Sequence, residues 1–307
     1  MSLFSRKAIS GAFASAALAS AGLAASPAQA QAPKAEIVMN IDTGEIVRKN
    51  TACVERYDSG ECVVYPASMT KIVTAAVALR EVERGNVSLD DRITVSRYAA
   101  SVGGSGTGRV RAGYSLTLHE ALGLIAKSSD NKLSRAIAEH VGGTVRNFVS
   151  MMNDFVEEQG IENTNFVNPT GWPNARHRTS PEQMAKLFSI LADNETLGEY
   201  FDENPVIHRN ILYRPTDGIC YNRLNPVIVK TGWSRMSGAT IGFVHEADDG
   251  QRYAIVLFGF ERGEYGNASF MRNRRLVEII DELSPSRAAE RERLGPGHCP
   301  KNKARPS

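Results

Sequence analysis

Apolar positions along the chain follow a strand pattern near both ends and a helical pattern between them. Near the N-terminus, Ala35–Asp42 and Glu45–Lys49 meet across the turn Asp42-Thr43-Gly44, which predicts a β-hairpin. The strands predicted near the C-terminus are Val227–Lys230, Ala239–His245 and Arg252–Phe260. This order predicts an α/β (α+β) fold with one antiparallel sheet flanked by helices, built from N- and C-terminal strands, and a helical subdomain inserted over about residues 86–195.

The helical pattern begins with Ser68–Glu83, which Gly85 ends. This segment is apolar nearly all round, and such a helix is expected to lie buried at the centre of a domain. Further helices are predicted at Leu116–Lys127, Lys132–Val141, Val145–Glu158, Pro181–Leu191 and Met271–Leu283.

Residues 1–30 are typical of a secretory signal peptide. Arg6 and Lys7 precede the apolar stretch Ala8–Ala25, and Ala28-Gln29-Ala30 matches the small-x-small cleavage pattern. The alternative is an uncleaved membrane anchor, for which the apolar stretch is short. We therefore expect export to the periplasm, with a catalytic domain over residues 31–284 and a basic, Pro-rich, poorly ordered tail over residues 285–307.

Composition narrows the class of protein without identifying it. The 307 residues are 42 % apolar and 23 % charged, which is ordinary for a globular protein. A formal net charge of only +2 argues against nucleic-acid binding. There is no C-x-x-C or H-E-x-x-H pattern, so a structural or catalytic zinc site has little support.

Four cysteines suit the oxidising compartment that a signal peptide implies. Cys53 and Cys62 flank the turn Asp58-Ser59-Gly60, so we predict a local disulfide between them. Cys220 then pairs with Cys299 by elimination. Free or partly free thiols are the alternative.

The first chemical motif is Pro66-Ala67-Ser68-Met69-Thr70-Lys71. Residues three apart share a helix face, so the Lys71 amine lies within reach of the Ser68 hydroxyl. A lysine with a lowered pKa can act as the base that activates a serine nucleophile. A lone Ser-x-x-Lys is weak, because it also describes a solvated helix face, and Ser129 to Lys132 repeats it.

The second motif, Ser129-Asp130-Asn131, lies between two predicted helices and can direct a hydroxyl and an amide into a cleft. Alone it is more typical of an N-cap for the helix beginning at Lys132. The third motif, Lys230-Thr231-Gly232, ends a predicted strand, where a cation and a hydroxyl can bind a carboxylate. The three motifs in this order are the signature of penicillin-binding proteins and class A β-lactamases.

With these motifs the sequence resembles the low-molecular-mass penicillin-binding proteins, the D-alanyl-D-alanine carboxypeptidase family, from about Glu36 to Leu283. Further matching segments are Asp42–Glu45, Lys71–Ala75, Ala138–His140, Asn168–Pro173 and Thr179–Met184. The fold implied is that shared by serine β-lactamases and penicillin-binding proteins. The resemblance implies no metal or organic cofactor, wall stem peptides as substrates, and covalent inhibition by β-lactam antibiotics.

The resemblance also implies a role for each motif residue. Ser68 is the nucleophile, Lys71 its base and Ser129 the group that helps protonate the departing D-alanine. The amides of Ser68 and Trp233 form the oxyanion hole. The residues implied in substrate binding are Asn131, Lys230, Thr231, Gly232 and Trp233.

Departures from the family pattern leave some points open. The stretch before Ser68 is longer than usual and contains Cys53 and Cys62. The arginine that often binds the substrate carboxylate has only Arg262 and Arg272 as candidates. The family's second, β-rich domain and amphipathic C-terminal anchor are not expected here, because the tail is short and its charges leave no apolar face.

Other functions remain as alternatives. A D,D-endopeptidase that cleaves wall cross-links would use identical residues. A class A β-lactamase needs a deacylating glutamate, but Glu157, Glu158 and Glu162 lie outside any Glu-x-x-x-Asn pattern. A wall-binding or β-lactam-sensing module without turnover is the remaining alternative.

Overall fold

A computed structural model describes residues 33–106, 108–202, 204, 206–213, 224, 226–261 and 268–294. The predicted signal peptide, Cys220, Arg262, Cys299 and residues 295–307 lie outside the described residues. Within the described ranges, no helix is both long enough and apolar enough to cross a membrane.

In the described part of the chain, an N-terminal hairpin is followed by mainly helical structure up to Phe201, and then by five strands and two helices. In chain order they are β1 (Ala35–Asn40), β2 (Ile46–Thr51), a 3-10 helix (Ala67–Met69), α1 (Thr70–Glu83), β3 (Arg92–Thr94), α2 (Arg97–Ala100), β4 (Ser115–Thr117), α3 (Leu118–Lys127), α4 (Asn131–Gly142), α5 (Val145–Glu158), α6 (Pro181–Leu191), α7 (Glu195–Phe201), β5 (Val206–His208), β6 (Ile211–Tyr213), β7 (Pro226–Ser234), β8 (Gly238–Glu246), β9 (Arg252–Phe260), α8 (Ala268–Leu283) and α9 (Pro285–Leu294).

The central sheet joins the two ends of the chain. Its five strands lie in the order β2-β1-β9-β8-β7, and every neighbouring pair is antiparallel. Strand β1 pairs along its length with β9, from Ala35 opposite Phe258 to Asn40 opposite Tyr253. The prediction of one antiparallel sheet built from both ends of the chain is confirmed.

Both faces of the sheet are covered by helices. Side chains alternate along β9, so that Val256 and Phe258 join the core with α6 while Ile255 and Leu257 join the core with α8. Helix α6 packs against β1, β8 and β9, and α8 packs against β8 and β9. Burial on both faces explains why β9 is apolar almost throughout.

Helix α1 lies at the centre of the molecule, as its apolar surface predicts. Ile72, Val73 and Val77 are fully buried. The helix ends before Gly85, whose φ of 73° suits the left-handed position that closes many helices. It begins at Thr70 rather than Ser68, because Ala67 has a φ of 47° and the chain enters through a 3-10 turn.

Several short elements are absent from the sequence prediction. The two-stranded sheets β3–β4 and β5–β6 have three residues per strand, too few for a clear period. Helix α3 begins at Leu118 because Thr117 and Glu120 form a capping box there. Pro285–Leu294 forms helix α9, where a poorly ordered tail was expected.

The structure contains the disulfide that the sequence predicts between Cys53 and Cys62, with a Cα–Cα distance of 5.8 Å. It closes a loop between β2 and the 3-10 helix. The Glu61 carboxylate within this loop accepts hydrogen bonds from Asn163 and Gln183. The loop is therefore attached to the segment between α5 and α6 and leads directly into the turn that carries Ser68.

Candidate active site

Ser68 lies in a tight backbone turn that two glycines make possible. A Cβ added to Gly171 would lie 1.8 Å from the Ala67 carbonyl oxygen, and one added to Gly232 would lie 3.0 Å from the Ser68 nitrogen. Ala67 itself has the left-handed φ of 47°, a conformation that non-glycine residues adopt at a cost of about 1–3 kcal/mol. The backbones of β7 and of the Gly171 segment therefore press directly on the nucleophile turn.

The Lys71 amine contacts the Ser68 hydroxyl. Its Nζ lies 2.9 Å from Ser68 Oγ and donates to the Thr170 carbonyl at 2.7 Å. The side chain is fully buried. Burial, and then the positive charge of Lys230, hold the pKa of the Lys71 ammonium well below its usual value, against an opposing effect of Asp130. A neutral amine beside a serine hydroxyl can accept its proton.

In the Ser129-Asp130-Asn131 triplet one residue caps a helix and the other two do not. Asp130 is the N-cap of α4, accepting from the amides of Lys132 and Leu133. Ser129 has a φ of 56°, outside the helix. The predicted N-cap is therefore Asp130. The side chains of Ser129 and Asn131 do not cap the helix and can make other contacts.

Ser129 Oγ and Asn131 Oδ1 are both buried, and neither has a hydrogen-bond partner among the described residues. Buried polar atoms without partners are rare and mark places where a ligand or water completes the bonding. The Asn131 amide nitrogen donates to the Gly103 carbonyl at 2.8 Å. The triplet therefore has one hydroxyl and one carbonyl oxygen that a ligand or water could bind.

Gly103 and Gly104 lie against Asn131 of this triplet. A Cβ added to Gly104 would lie 2.6 Å from the Asn131 Nδ2 and 2.7 Å from the Trp172 ring, so only a glycine fits between the two side chains. The Trp172 side chain is 45 % exposed. The Trp172 ring and the Asn131 amide thus lie on either side of Gly104.

The end of β7 carries the third motif. Lys230 is buried and its Nζ donates to the Thr231 carbonyl at 3.0 Å. Gly232 lies against the nucleophile turn, and the Trp233 side chain is 63 % exposed. The cation, the half-buried Thr231 hydroxyl and the strand backbone thus lie together at the end of β7, which packs against the turn that carries Ser68.

The second Ser-x-x-Lys occurrence has a structural role. Lys132 Nζ donates to the Val110 carbonyl at 2.8 Å and holds the loop before β4. Arg272, one candidate for carboxylate binding, is 2 % exposed and donates to the Thr240 carbonyl and to Asn273. It lies beneath β8, behind Gly232, and not on the surface of the cleft.

Sequence reasoning did not find the Thr170 carbonyl as a partner of Lys71, or Gly171 as a contact of the nucleophile turn. Both lie in the Asn168–Pro173 segment, about a hundred residues from Ser68. A backbone carbonyl can belong to any residue type, so its role has no signature in the sequence. The match of Asn168–Pro173 to the family was the one indication that this segment lies near the site.

The chain is similar to known proteins of one family. A family model described as D-alanyl-D-alanine carboxypeptidase matches residues 22–260. The carboxypeptidase DacF of Bacillus subtilis is 32 % identical over 251 residues, covering 76 % of this chain and 59 % of DacF. The D-alanyl-D-alanine endopeptidase of Pseudomonas aeruginosa is 26 % identical, covering 81 % of each chain.

The fold also has a close structural counterpart. Penicillin binding protein 5 from Haemophilus influenzae superposes with a TM-score of 0.70 at 22 % identity, over 83 % of this chain and 72 % of that one. At this identity the likeness concerns the fold. The chain spans between 51 % and 59 % of the length of the first carboxypeptidase relatives that it matches.

Proposed function

Because the chain belongs to the D-alanyl-D-alanine carboxypeptidase family, we propose that it is a serine acyl-enzyme that removes the terminal D-alanine from peptidoglycan stem peptides. The observation that carries this proposal is the buried Lys71 amine 2.9 Å from the Ser68 hydroxyl. Burial lowers the pKa of Lys71 and so favours the neutral amine that a base requires. A solvated surface pair would lack that property.

In the proposed reaction, Ser68 Oγ attacks the carbonyl of the penultimate D-alanine while Lys71 accepts the hydroxyl proton. The amides of Ser68 and Trp233 stabilise the oxyanion. Ser129 helps to deliver a proton to the departing amine. Water then hydrolyses the ester and regenerates Ser68.

The remaining motif residues hold the substrate. Asn131, with its unpaired carbonyl oxygen, accepts from the peptide backbone, and Lys230 with Thr231 binds the terminal carboxylate. Gly232 allows the peptide to lie against the edge of β7. Penicillin, whose strained amide is attacked in the same way, is proposed to acylate Ser68.

We also propose that the protein is exported to the periplasm, where these peptides lie. The support is the signal-peptide pattern of residues 1–30 and the disulfide between Cys53 and Cys62.

The test measures D-alanine released from a purified pentapeptide ending in D-Ala-D-Ala. Release is expected from the unchanged protein and is expected to be lost in Ser68→Ala and Lys71→Gln. The matched control is Lys132→Gln, which changes the lysine of the second Ser-x-x-Lys occurrence and is expected to keep activity. Absence of release, or equal loss in both lysine variants, contradicts the proposal.

Cleavage of wall cross-links is a second candidate. It is favoured by one observation: the chain covers 81 % of the Pseudomonas aeruginosa endopeptidase but only 59 % of DacF. Digestion of purified cross-linked muropeptide dimers decides between the two. An endopeptidase is indicated if dimers are converted to monomers faster than pentapeptides lose D-alanine. A carboxypeptidase is indicated if pentapeptides lose D-alanine while the dimers stay intact.

A further inference from the structure

A buried histidine lies beside the base without any part in the reaction proposed above. The His177 ring is 2 % exposed and lies between the start of α1 and the segment after α5. Its Nε2 is 2.8 Å from Thr70 Oγ1, and its Nδ1 accepts from the Val167 amide at 3.1 Å. The Phe166 ring packs edge-on against it at a centroid distance of 5.4 Å.

These contacts fix the tautomer of the ring. A backbone N–H can only donate, so Nδ1 must present its lone pair to Val167. The ring proton is therefore on Nε2, which donates to the Thr70 hydroxyl. Burial, together with the positive charge of Lys71, lowers the pKa of His177 to about 3, so the ring stays neutral at working pH.

The ring connects the two parts of the chain that meet at Lys71. Thr70 immediately precedes Lys71 on α1. Val167 immediately precedes the Asn168–Pro173 segment, which supplies the Thr170 carbonyl. Two further side chains of α1 bind the same segment: Lys71 donates to Thr170 and Thr74 donates to the Pro169 carbonyl at 2.7 Å.

The segment is also ordered internally. Asn168 Oδ1 accepts from the Thr170 amide, the Thr170 hydroxyl and the Trp172 amide. These hydrogen bonds hold the segment in one conformation, and the His177 bridge attaches it to α1 at the residue next to the base.

We propose that His177 is a positioning residue for acylation, holding the Thr170 carbonyl against Lys71 Nζ through its bridge between Val167 and Thr70. The inference rests on the proposed function, in which Lys71 is the base for Ser68. A neutral amine has one lone pair and rotates freely about its last carbon–nitrogen bond. Donation of one N–H to Thr170 restricts that rotation and leaves the lone pair available to the Ser68 proton.

The test separates binding from chemistry in the reaction of Ser68 with a fluorescent penicillin. Stopped-flow labelling gives the dissociation constant of the initial complex and the acylation rate constant k2. His177→Phe keeps the ring volume and removes both hydrogen bonds, whereas Thr70→Val removes only the hydroxyl at the other end of the bridge. Both are expected to lower k2 by about 10- to 100-fold, as small misplacements of reacting groups do, with the dissociation constant unchanged.

The matched control is His245→Phe. His245 is another fully buried histidine in which both ring nitrogens are hydrogen-bonded: Nδ1 donates to the Leu224 carbonyl and Nε2 pairs with the Ser284 hydroxyl, each at 2.7 Å. Its loss is expected to lower the melting temperature in the same way without changing k2. An equal fall of k2 in the His245 variant would show a general effect of destabilisation and overturn the positioning role.

Two further variants show whether the bridge acts as one unit. His177→Asn places an amide oxygen near the position of Nδ1 and is expected to recover part of k2. The double variant His177→Phe with Thr70→Val is expected to be no slower than the slower single variant, because each breaks the same connection. Fully additive losses, an unchanged k2, or an effect confined to the dissociation constant would overturn the inference.

The outcomes also separate this inference from the function on which it rests. Absence of Ser68 labelling in the unchanged protein contradicts the proposed function itself. Normal labelling of the unchanged protein with an unchanged k2 in the bridge variants contradicts only the role of His177. If His177→Phe does not fold, the k2 of Thr70→Val decides.

Discussion

Gly171 provides a sharp test of the geometry around the nucleophile. Its φ is 77°, and a Cβ at this position would lie 1.8 Å from the Ala67 carbonyl oxygen and 2.9 Å from the Ser68 nitrogen. The change Gly171→Ala therefore brings two separate costs: a left-handed backbone for a non-glycine residue and a collision with the residue before Ser68.

The two costs have different sizes and consequences. The left-handed backbone costs about 1–2 kcal/mol of stability for an alanine. Ordinary carbon–oxygen contacts begin at about 3.3 Å, so the Gly171 segment and the Ala67 turn must separate by more than about 1 Å. A displacement of that size in a reacting group lowers rates by about 100-fold. We expect k2 for penicillin acylation to fall by about that factor.

Gly85→Ala is the control for the first cost alone. Gly85 has nearly the same φ, 73°, and a Cβ there would meet nothing within 4 Å. Urea unfolding is expected to show a loss of stability in both variants, and stopped-flow labelling a loss of k2 in Gly171→Ala only. A wild-type k2 in Gly171→Ala, or a comparable fall in Gly85→Ala, would refute the reasoning.

Other predictions concern charge and cross-linking. The charge of Lys230 lowers the pKa of Lys71, and the charge of Asp130 raises it. Lys230→Gln is therefore expected to move the acid limb of the pH profile of k2 to higher pH, and Asp130→Asn to move it to lower pH. Shifts of both variants in the same direction would contradict this. Asparagine keeps the N-cap, which separates the charge effect from unfolding. Replacing Cys53 and Cys62 by alanine removes a cross-link between residues separated by 9 positions, and loop entropy predicts a loss of about 2.5 kcal/mol in urea unfolding. An unchanged unfolding free energy would show that the cross-link does not restrict the unfolded chain.

The strongly periodic parts of the chain were predictable from sequence. Helix α5, helix α6 and strand β9 have the predicted bounds, since each carries a long, uninterrupted apolar pattern. The two-stranded sheets β3–β4 and β5–β6 were not predictable, because three-residue strands depend on their tertiary neighbours.

The reacting side chains of the candidate site could be predicted from residue types. The contacts that position those side chains could not. Ser68 and Lys71 are close in sequence, so helical spacing alone predicts their contact. The left-handed Ala67 depends on backbone geometry. The Thr170 carbonyl and the His177 bridge depend on contacts between residues about a hundred positions apart in sequence. No pattern along a single sequence encodes such distances.

The pH dependence of Ser68 acylation in the unchanged protein tests the central claim, that Lys71 is a neutral base. A base must lose its proton before it can act, so the rate rises with pH through the pKa of Lys71 and then levels off. Because burial and Lys230 lower that pKa, k2 is expected to reach its plateau well below the ordinary lysine value of 10.5. A rate that continues to rise until pH approaches 10.5 would contradict the account.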